Sequence, residues 1–359
     1  MKYALWLANI PGIGNQKIRY LLQECQNAQE IYYLEERYFE KIYGIDDEDI
    51  KRIVTSRRIW NLDAELWKLG EHGIHFASWE QKEFPDKLRK IPSAPYALYY
   101  KGKLPDPKRK AVAIVGARGR SEYGCSVARE LAQKLVDNGI DVISGMARGI
   151  DADGHVGALD AGGETYAVLG CGVDICYPAQ NRFLYEKIPQ KGGLISEYPP
   201  HTAAKATLFP ARNRIISGLS DCVVVVEARE KSGSLITADY AIEQGKDVFA
   251  VPGRVKDSLS RGCNRLIHEG AGIFLDTETF LADWLLLQNP EAGQMDFKDF
   301  LLNQDEKQIY EYLDFTPVGI GTLVEKTSLR LDEILDILDK LTQKGMAKEI
   351  IPNYYVRLN

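Results

Sequence analysis

Arg212 and Arg214 flank Asn213 in the stretch FPARNRIISGLSD (Phe209–Asp221), and no carboxylate stands between Glu197 and Asp221, whereas His201, Lys205 and both arginines do. Guanidinium forks set against an apolar run, in a chain of formal net charge -6, call for an anion supplied from elsewhere. Phosphate is the anion whose geometry such a fork matches. Phe209, next to Pro210, adds an aromatic face that either stacks on a base or anchors the loop. The two arginines alternate around a helix start, so one is expected against a carboxylate such as Glu197, and at least one at phosphate.

Similar chemistry recurs along the chain. GARGRSEYG (Gly116–Gly124) has the small residues that let backbone amides close on a phosphate at a helix start, and Arg118 and Arg120 add two cations. It is not GxGxxG, and the next apolar run ends in ISG with no acid placed to hold a ribose, so no dinucleotide cofactor is expected. ISGMARGIDADGHVGAL (Ile143–Leu159) supplies a second loop in which Ser144 and Gly145 permit close approach, Arg148 faces a ligand, and Asp151 is a structural helix cap. LGCGVDICYPAQNR ends on Arg182, a further cation for the rim or a solvated one. In EAREKSGSLITADYA (Glu227–Ala241), Ser232, Gly233 and Ser234 open a helix after a VVVV run and again suit an anion. The six cysteines and five histidines show no metal-ligand spacing, so no metal is expected and the thiols are read as reduced and partly buried.

These loops need a scaffold, and 359 residues with 45% hydrophobic and 27% charged content provide for two or three folded domains. Residues 1–75 read as short helices. Within them, IPGIGNQKIRYLL has the turn of a helix-hairpin-helix, or SAM-like, module, and IYGIDDEDIKRIV is a degenerate second copy with an acidic start. A DNA-contacting module and a plain packing module both fit this segment. Residues 76–288 read as α/β. From about Lys110 the runs AVAIVGA, IDVISG, TYAVLG, GLISEY, CVVVVEA, DVFAVPG and GIFLD each predict a buried strand of a Rossmann-like, doubly wound parallel sheet. Their glycine-rich turns would collect on the carboxyl rim where such sheets bind ligands. A linker at 289–294 leads to residues 300–359, whose order predicts a winged helix. Its third helix carries Asp332, Glu333, Asp336 and Asp339, acids that phosphates would repel from a groove, so protein contact or self-association is favoured over DNA reading. The apolar stretch at Met1–Ile10 is too short for a signal peptide, and the chain is expected to be cytoplasmic without a membrane association.

GAR, SGMARGID, FPARNRIISGLS and KSGSLITADYAIEQGKDVFAVPG, in this order and spacing, resemble the DNA-processing protein A family, also called DprA or Smf. The resemblance spans Phe84 to Asp276 and weakly includes both ends. It implies a non-enzymatic, homodimeric single-stranded DNA-binding protein that loads the RecA recombinase during natural transformation. It carries a DNA-binding role onto Arg118, Ser144, Gly145, Phe209, Arg212, Asn213 and Arg214. The family pattern has a basic residue three before the phenylalanine. Here Ala206 stands there and Lys205 is four before. The enzyme alternative is a nucleotide N-glycosidase of the LOG type, but Ile236 or Thr237 occupies the place of its catalytic glutamate.

Overall fold

The computed structural model describes residues 1–288, 304–314, 316–327, 329–344 and 346–358; the linker expected at 289–294 lies outside them. The chain forms two compact units, Met1–Thr277 and Glu278–Asn359.

The first unit is built on a nine-stranded sheet, with β1 (His75–Ser78), β2 (Ala97–Gly102), β3 (Ala111–Val115), β4 (Asp141–Ser144), β5 (Thr165–Val168), β6 (Gly193–Ser196), β7 (Cys222–Val225), β8 (Asp247–Ala250) and β9 (Gly272–Ile273). Its spatial order is β1-β2-β6-β5-β4-β3-β7-β8-β9. All seven apolar runs form strands, and those seven pair in parallel. Helices cover both faces of such strands, so an interior strand such as β3 buries every side chain and shows no alternation. The sheet is nonetheless only mostly parallel. β2 pairs antiparallel with β6, and β1 antiparallel with β2, adding an edge before Lys110 that the apolar runs did not indicate.

From β3 the chain winds outward through β4, β5 and β6, then returns to lay β7 on the other side of β3. The winding therefore reverses between β3 and β7, and the carboxyl ends of these two strands diverge into a crevice. The crossover from β6 to β7 is the helix Leu208–Leu219, the one that carries Phe209, Arg212 and Arg214.

The helical segment before β1 repeats itself. The turn glycines Gly12 and Gly44 both have positive φ, at 82° and 77°. A side chain on Gly12 would meet the Arg52 guanidinium, and one on Gly44 would meet the Tyr20 ring. Each turn thus seats a residue from the other copy's helix, and Lys17 closes the pair on the buried Asp49 at 2.5 Å. The acidic start of the second copy has an internal purpose, since Asp46 accepts the Asp49 amide as a helix cap.

In the second unit, the helices Gln304–Tyr312, Ile320–Lys326 and Leu331–Gln343 pack around Ile309, Leu323, Ile334, Leu338 and Leu341. A three-stranded antiparallel sheet accompanies them, in the order β10 (Val318–Gly319), β12 (Tyr354–Arg357), β11 (Ala347–Ile351). Asp332, Asp336 and Asp339 all lie on the exposed side of the Leu331–Gln343 helix.

Candidate nucleic-acid interface

The crevice between β3 and β7 opens into a cleft of about 560 Å³. Its walls come from the loop after β3, the loop and helix start after β7, and the first turns of the Leu208–Leu219 helix. Half of the residues singled out in the sequence meet there: Arg118, Phe209, Arg212, Asn213, Ser232, Gly233 and Ser234. Arg120, Ser144, Gly145, Arg148, Arg182, Lys205 and Arg214 are not among the lining residues.

The helix at the back of the cleft is held at its middle and at its far end. Midway along it, the Asn213 amide donates to the Gly233 carbonyl at 3.1 Å, tying it to the helix Gly233–Glu243. At its far end the Lys246 ammonium donates to the Ser217, Gly218 and Ser220 carbonyls at 2.5, 2.7 and 2.5 Å. A cation on the last carbonyls of a helix opposes its dipole favourably, and burial pushes the Lys246 ammonium down to about 8.

Both arginines of the opening motif turn inward. Arg212 is 4% exposed; its guanidinium donates to the Gly145 carbonyl at 2.8 Å and to the Val168 carbonyl, at the floor of the cleft. Burial lowers Arg212 to about 10, against the favourable field of Asp151. Arg214 is 7% exposed and donates to Glu197 at 2.6 Å. The same Glu197 oxygen accepts the Asn15 amide at 2.6 Å, so the helical segment is pinned to this helix through one carboxylate. The pairing with Glu197 is as expected; both guanidiniums have partners within the protein, and of the two only Arg212 lines the cleft. Neutralising carboxylates lie outside the 197–221 window or at its very edge.

The second loop is likewise occupied internally. Ser144 is fully buried and donates to the Ile114 carbonyl at 2.6 Å, while the Gly145 amide donates to Asp151 at 3.2 Å. Amides of Ala147 and Gly116 also serve Asp151, whose carboxyl burial holds above the usual range. The nest read as a phosphate site is filled by the protein's own carboxylate. Gly145 is needed because a Cβ there would collide with the Arg212 guanidinium. Asp151 is structural, as expected, but it is not the cap: Gly149 holds that position, and Asp151 sits in the first turn of Ile150–Asp160.

Arg120 is engaged by Asp153 at 2.9 Å and Glu122 at 2.5 Å, and Arg182 lies 3.6 Å from Glu186 on an exposed helix face. Arg148 and Lys205 are exposed. Ala206 does line the cleft and brings it no charge.

The exposed cations facing the cleft are Arg118, Arg229 and Lys231. Arg229 and Lys231 were overlooked in the sequence, although they precede Ser232 directly. Ser232 caps the Gly233–Glu243 helix, accepting the Ser234 amide at 3.4 Å, with the two hydroxyls 2.8 Å apart. Opposite them stands an aromatic pair, Tyr177 and Phe209, with centroids 5.4 Å apart and planes at 28°. The Arg118 guanidinium lies 5.5 Å from the Phe209 centroid. Tyr177, 43% exposed, presents the pair to solvent. Cations and stacked rings in one open cleft form the combination that binds a nucleic-acid strand through both its phosphates and its bases. The lining includes one carboxylate, Asp151, whose oxygens are taken by amides.

The model of the family described as DNA recombination-mediator protein A matches residues 75–285. The protein Smf of Synechocystis is 38% identical over 350 residues, covering 96% of this chain and 87% of that protein. The DNA processing protein DprA of Streptococcus pneumoniae is 44% identical over 282 residues, covering 79% and 98%. The X-ray structure of DprA from Streptococcus pneumoniae superposes with a TM-score of 0.70 at 36% identity, covering 79% of this chain and 97% of that one. DNA processing protein A from Helicobacter pylori, solved for its single-stranded DNA binding mode, gives a TM-score of 0.53 at 30% identity, with coverage of 59% and 96%.

Proposed function

The chain belongs to the DNA recombination-mediator protein A family, and from that premise we propose that it binds single-stranded DNA in the cleft between β3 and β7 and loads the RecA recombinase onto incoming strands in natural transformation. The observation that carries this reading is the convergence of Arg118, Arg229 and Lys231 on the exposed Tyr177–Phe209 pair. The cations take phosphates, the rings take bases, and neither demands a particular sequence. A binding role without catalysis fits the lining, where Ile236 and Thr237 stand in place of the glutamate that glycoside cleavage needs. A homodimer in the cytoplasm belongs to the same reading; no helix among the described residues is long and apolar enough to cross a membrane.

We place the division of labour at 1–75, 76–288 and 300–359. The first segment is a helix-hairpin-helix module whose turns hold each other's side chains, which favours packing over DNA contact. The last is a winged helix with an acidic outer face.

Three results test this. Arg118→Ala weakens single-strand binding and lowers the slope of log affinity against log salt by about 0.7, the value for one lost phosphate contact; an unchanged slope removes Arg118 from the interface. Arg214→Ala, in contrast, lowers thermal stability and leaves the slope unaltered, because its guanidinium belongs to Glu197. Removal of residues 300–359 leaves single-strand affinity nearly intact, measured by gel shift on a truncated chain whose melting is still cooperative. Loss of most affinity would assign the strand to the second unit.

A further inference from the structure

Beside the main cleft lies a second one of about 470 Å³, lined by Glu230, Lys231, Val255, Arg261, Asn264 and Arg265. Lys231 lines both. The two share more than one side chain. The Gly262 amide donates to the Ala228 carbonyl at 2.8 Å, and a Cβ on Gly262 would strike the Arg229 carbonyl oxygen, so the helix Arg261–His268 starts directly against the segment that walls the main cleft. The Asn264 amide and the Gly253 backbone exchange two bonds at 3.1 and 3.0 Å, fixing the loop after β8 to the same helix.

This face is strongly basic in an acidic chain. Arg229, Lys231, Arg254, Lys256, Arg261 and Arg265 are all exposed, against the exposed acids Glu230, Asp257 and Glu269. The ion pairs here are loose: Arg261 lies 3.6 Å from Glu230 and Arg265 lies 3.4 Å from Glu269, with every partner about half exposed. Such pairs hold their charges weakly and yield them to a phosphate backbone, whose binding also releases condensed counterions.

Resting on the single-strand reading of the main cleft, we infer that the second cleft continues the path of the strand, with Lys231 as the junction and Arg261 and Arg265 taking the phosphates that emerge from the first cleft. The main cleft holds bases and phosphates together; the second supplies cations without an aromatic partner and so grips backbone alone. The strand is therefore read for length, not sequence, along this extension.

Fluorescence anisotropy with oligothymidylates of about 4 and about 16 nucleotides, the span of single-strand sites known for small binding folds, separates the two clefts. The Arg261→Ala/Arg265→Ala double variant binds the short oligomer as the parent does. It binds the long one at least about fivefold more weakly, with the salt slope reduced by about 1.4, the value for two phosphate contacts. An Arg118→Ala variant weakens both lengths. Equal binding of the long oligomer by parent and double variant overturns the extension while leaving the main cleft in place. Equal weakening of both lengths overturns it as well, by placing the two arginines in the first cleft. Failure of the parent to bind either oligomer removes the single-strand reading itself.

Discussion

Arg212→Ala lowers the stability of the first unit by about 3–5 kcal/mol, the range for removing one member of a buried charged network, and this appears as an early melting transition before any effect on binding is considered. Three losses add up. The Gly145 and Val168 carbonyls lose their donor at the cleft floor. Asp151, buried among amides, loses the positive charge that offsets its desolvation. The space left by the side chain opens against Gly145, which is small because the guanidinium lies on it. The pH dependence identifies the electrostatic part. Asp151 has a folded-state pKa above the ordinary carboxylate value of about 3.9, so its contribution is intact below that pH and is lost as pH rises through the folded value. Without Arg212 the folded value rises further, and the deficit relative to the parent is larger at pH 7 than at pH 4. A deficit independent of pH would mean that only the hydrogen bonds and the packing matter. Normal melting with weakened binding would return Arg212 to the phosphate interface.

The arginines also show where sequence reading stops. The seven strands from β3 to β9 were legible because a parallel strand covered on both faces leaves an uninterrupted apolar run, and the order of the runs with helices between them implied the winding. The antiparallel edge formed by β1 and β2 was not legible: HFAS and ALYYKG precede the repeating alternation of apolar runs and helices. The carboxyl rim was correctly anticipated, since it follows from topology alone. Which cations face outward on that rim did not follow, because burial of an arginine depends on partners remote in the chain. Asp151 lies in the first turn of the helix before the third of those strands, and Asn15, which shares Glu197 with Arg214, belongs to a different segment altogether. Small residues misled in the same way. Ser144 and Gly145 have the composition of a phosphate loop, yet their polar groups are used by Ile114, Asp151 and Arg212. Nothing local sets Arg229 and Lys231 apart from ordinary solvated cations, and the hydroxyls immediately after them, which have the composition of an anion site, cap a helix.

Phe209→Ala costs about 1–3 kcal/mol of single-strand binding and about 0.5–1.5 kcal/mol of stability, the worth of an aromatic pair beyond its buried area. The ring is packed within the protein and also belongs to the cleft lining. One neighbour is Gly170, at which a Cβ would come 2.6 Å from the ring; the others are Tyr177 and the Arg118 guanidinium. A base therefore does not land on a bare phenylalanine. On the single-strand reading it adds to a stack already begun, through the exposed Tyr177 or beside Arg118, with Phe209 as the backing of that platform. Two further variants separate the parts. Tyr177→Leu removes the exposed outer ring and reduces binding, with a melting loss no larger than the worth of the ring pair. Phe209→Trp keeps an aromatic face but presses a larger ring on Gly170, and costs about 1–3 kcal/mol of stability through overpacking even where binding is retained. In a double-mutant cycle the Phe209→Ala and Tyr177→Leu losses of binding add up to more than the loss in the double variant, because each substitution disables the same stack. Additive losses would mean that the two rings meet different bases, and a melting loss of about 3–5 kcal/mol for Phe209→Ala, the cost of a fully buried ring, with binding unchanged once folded, would leave Phe209 as a core residue alone.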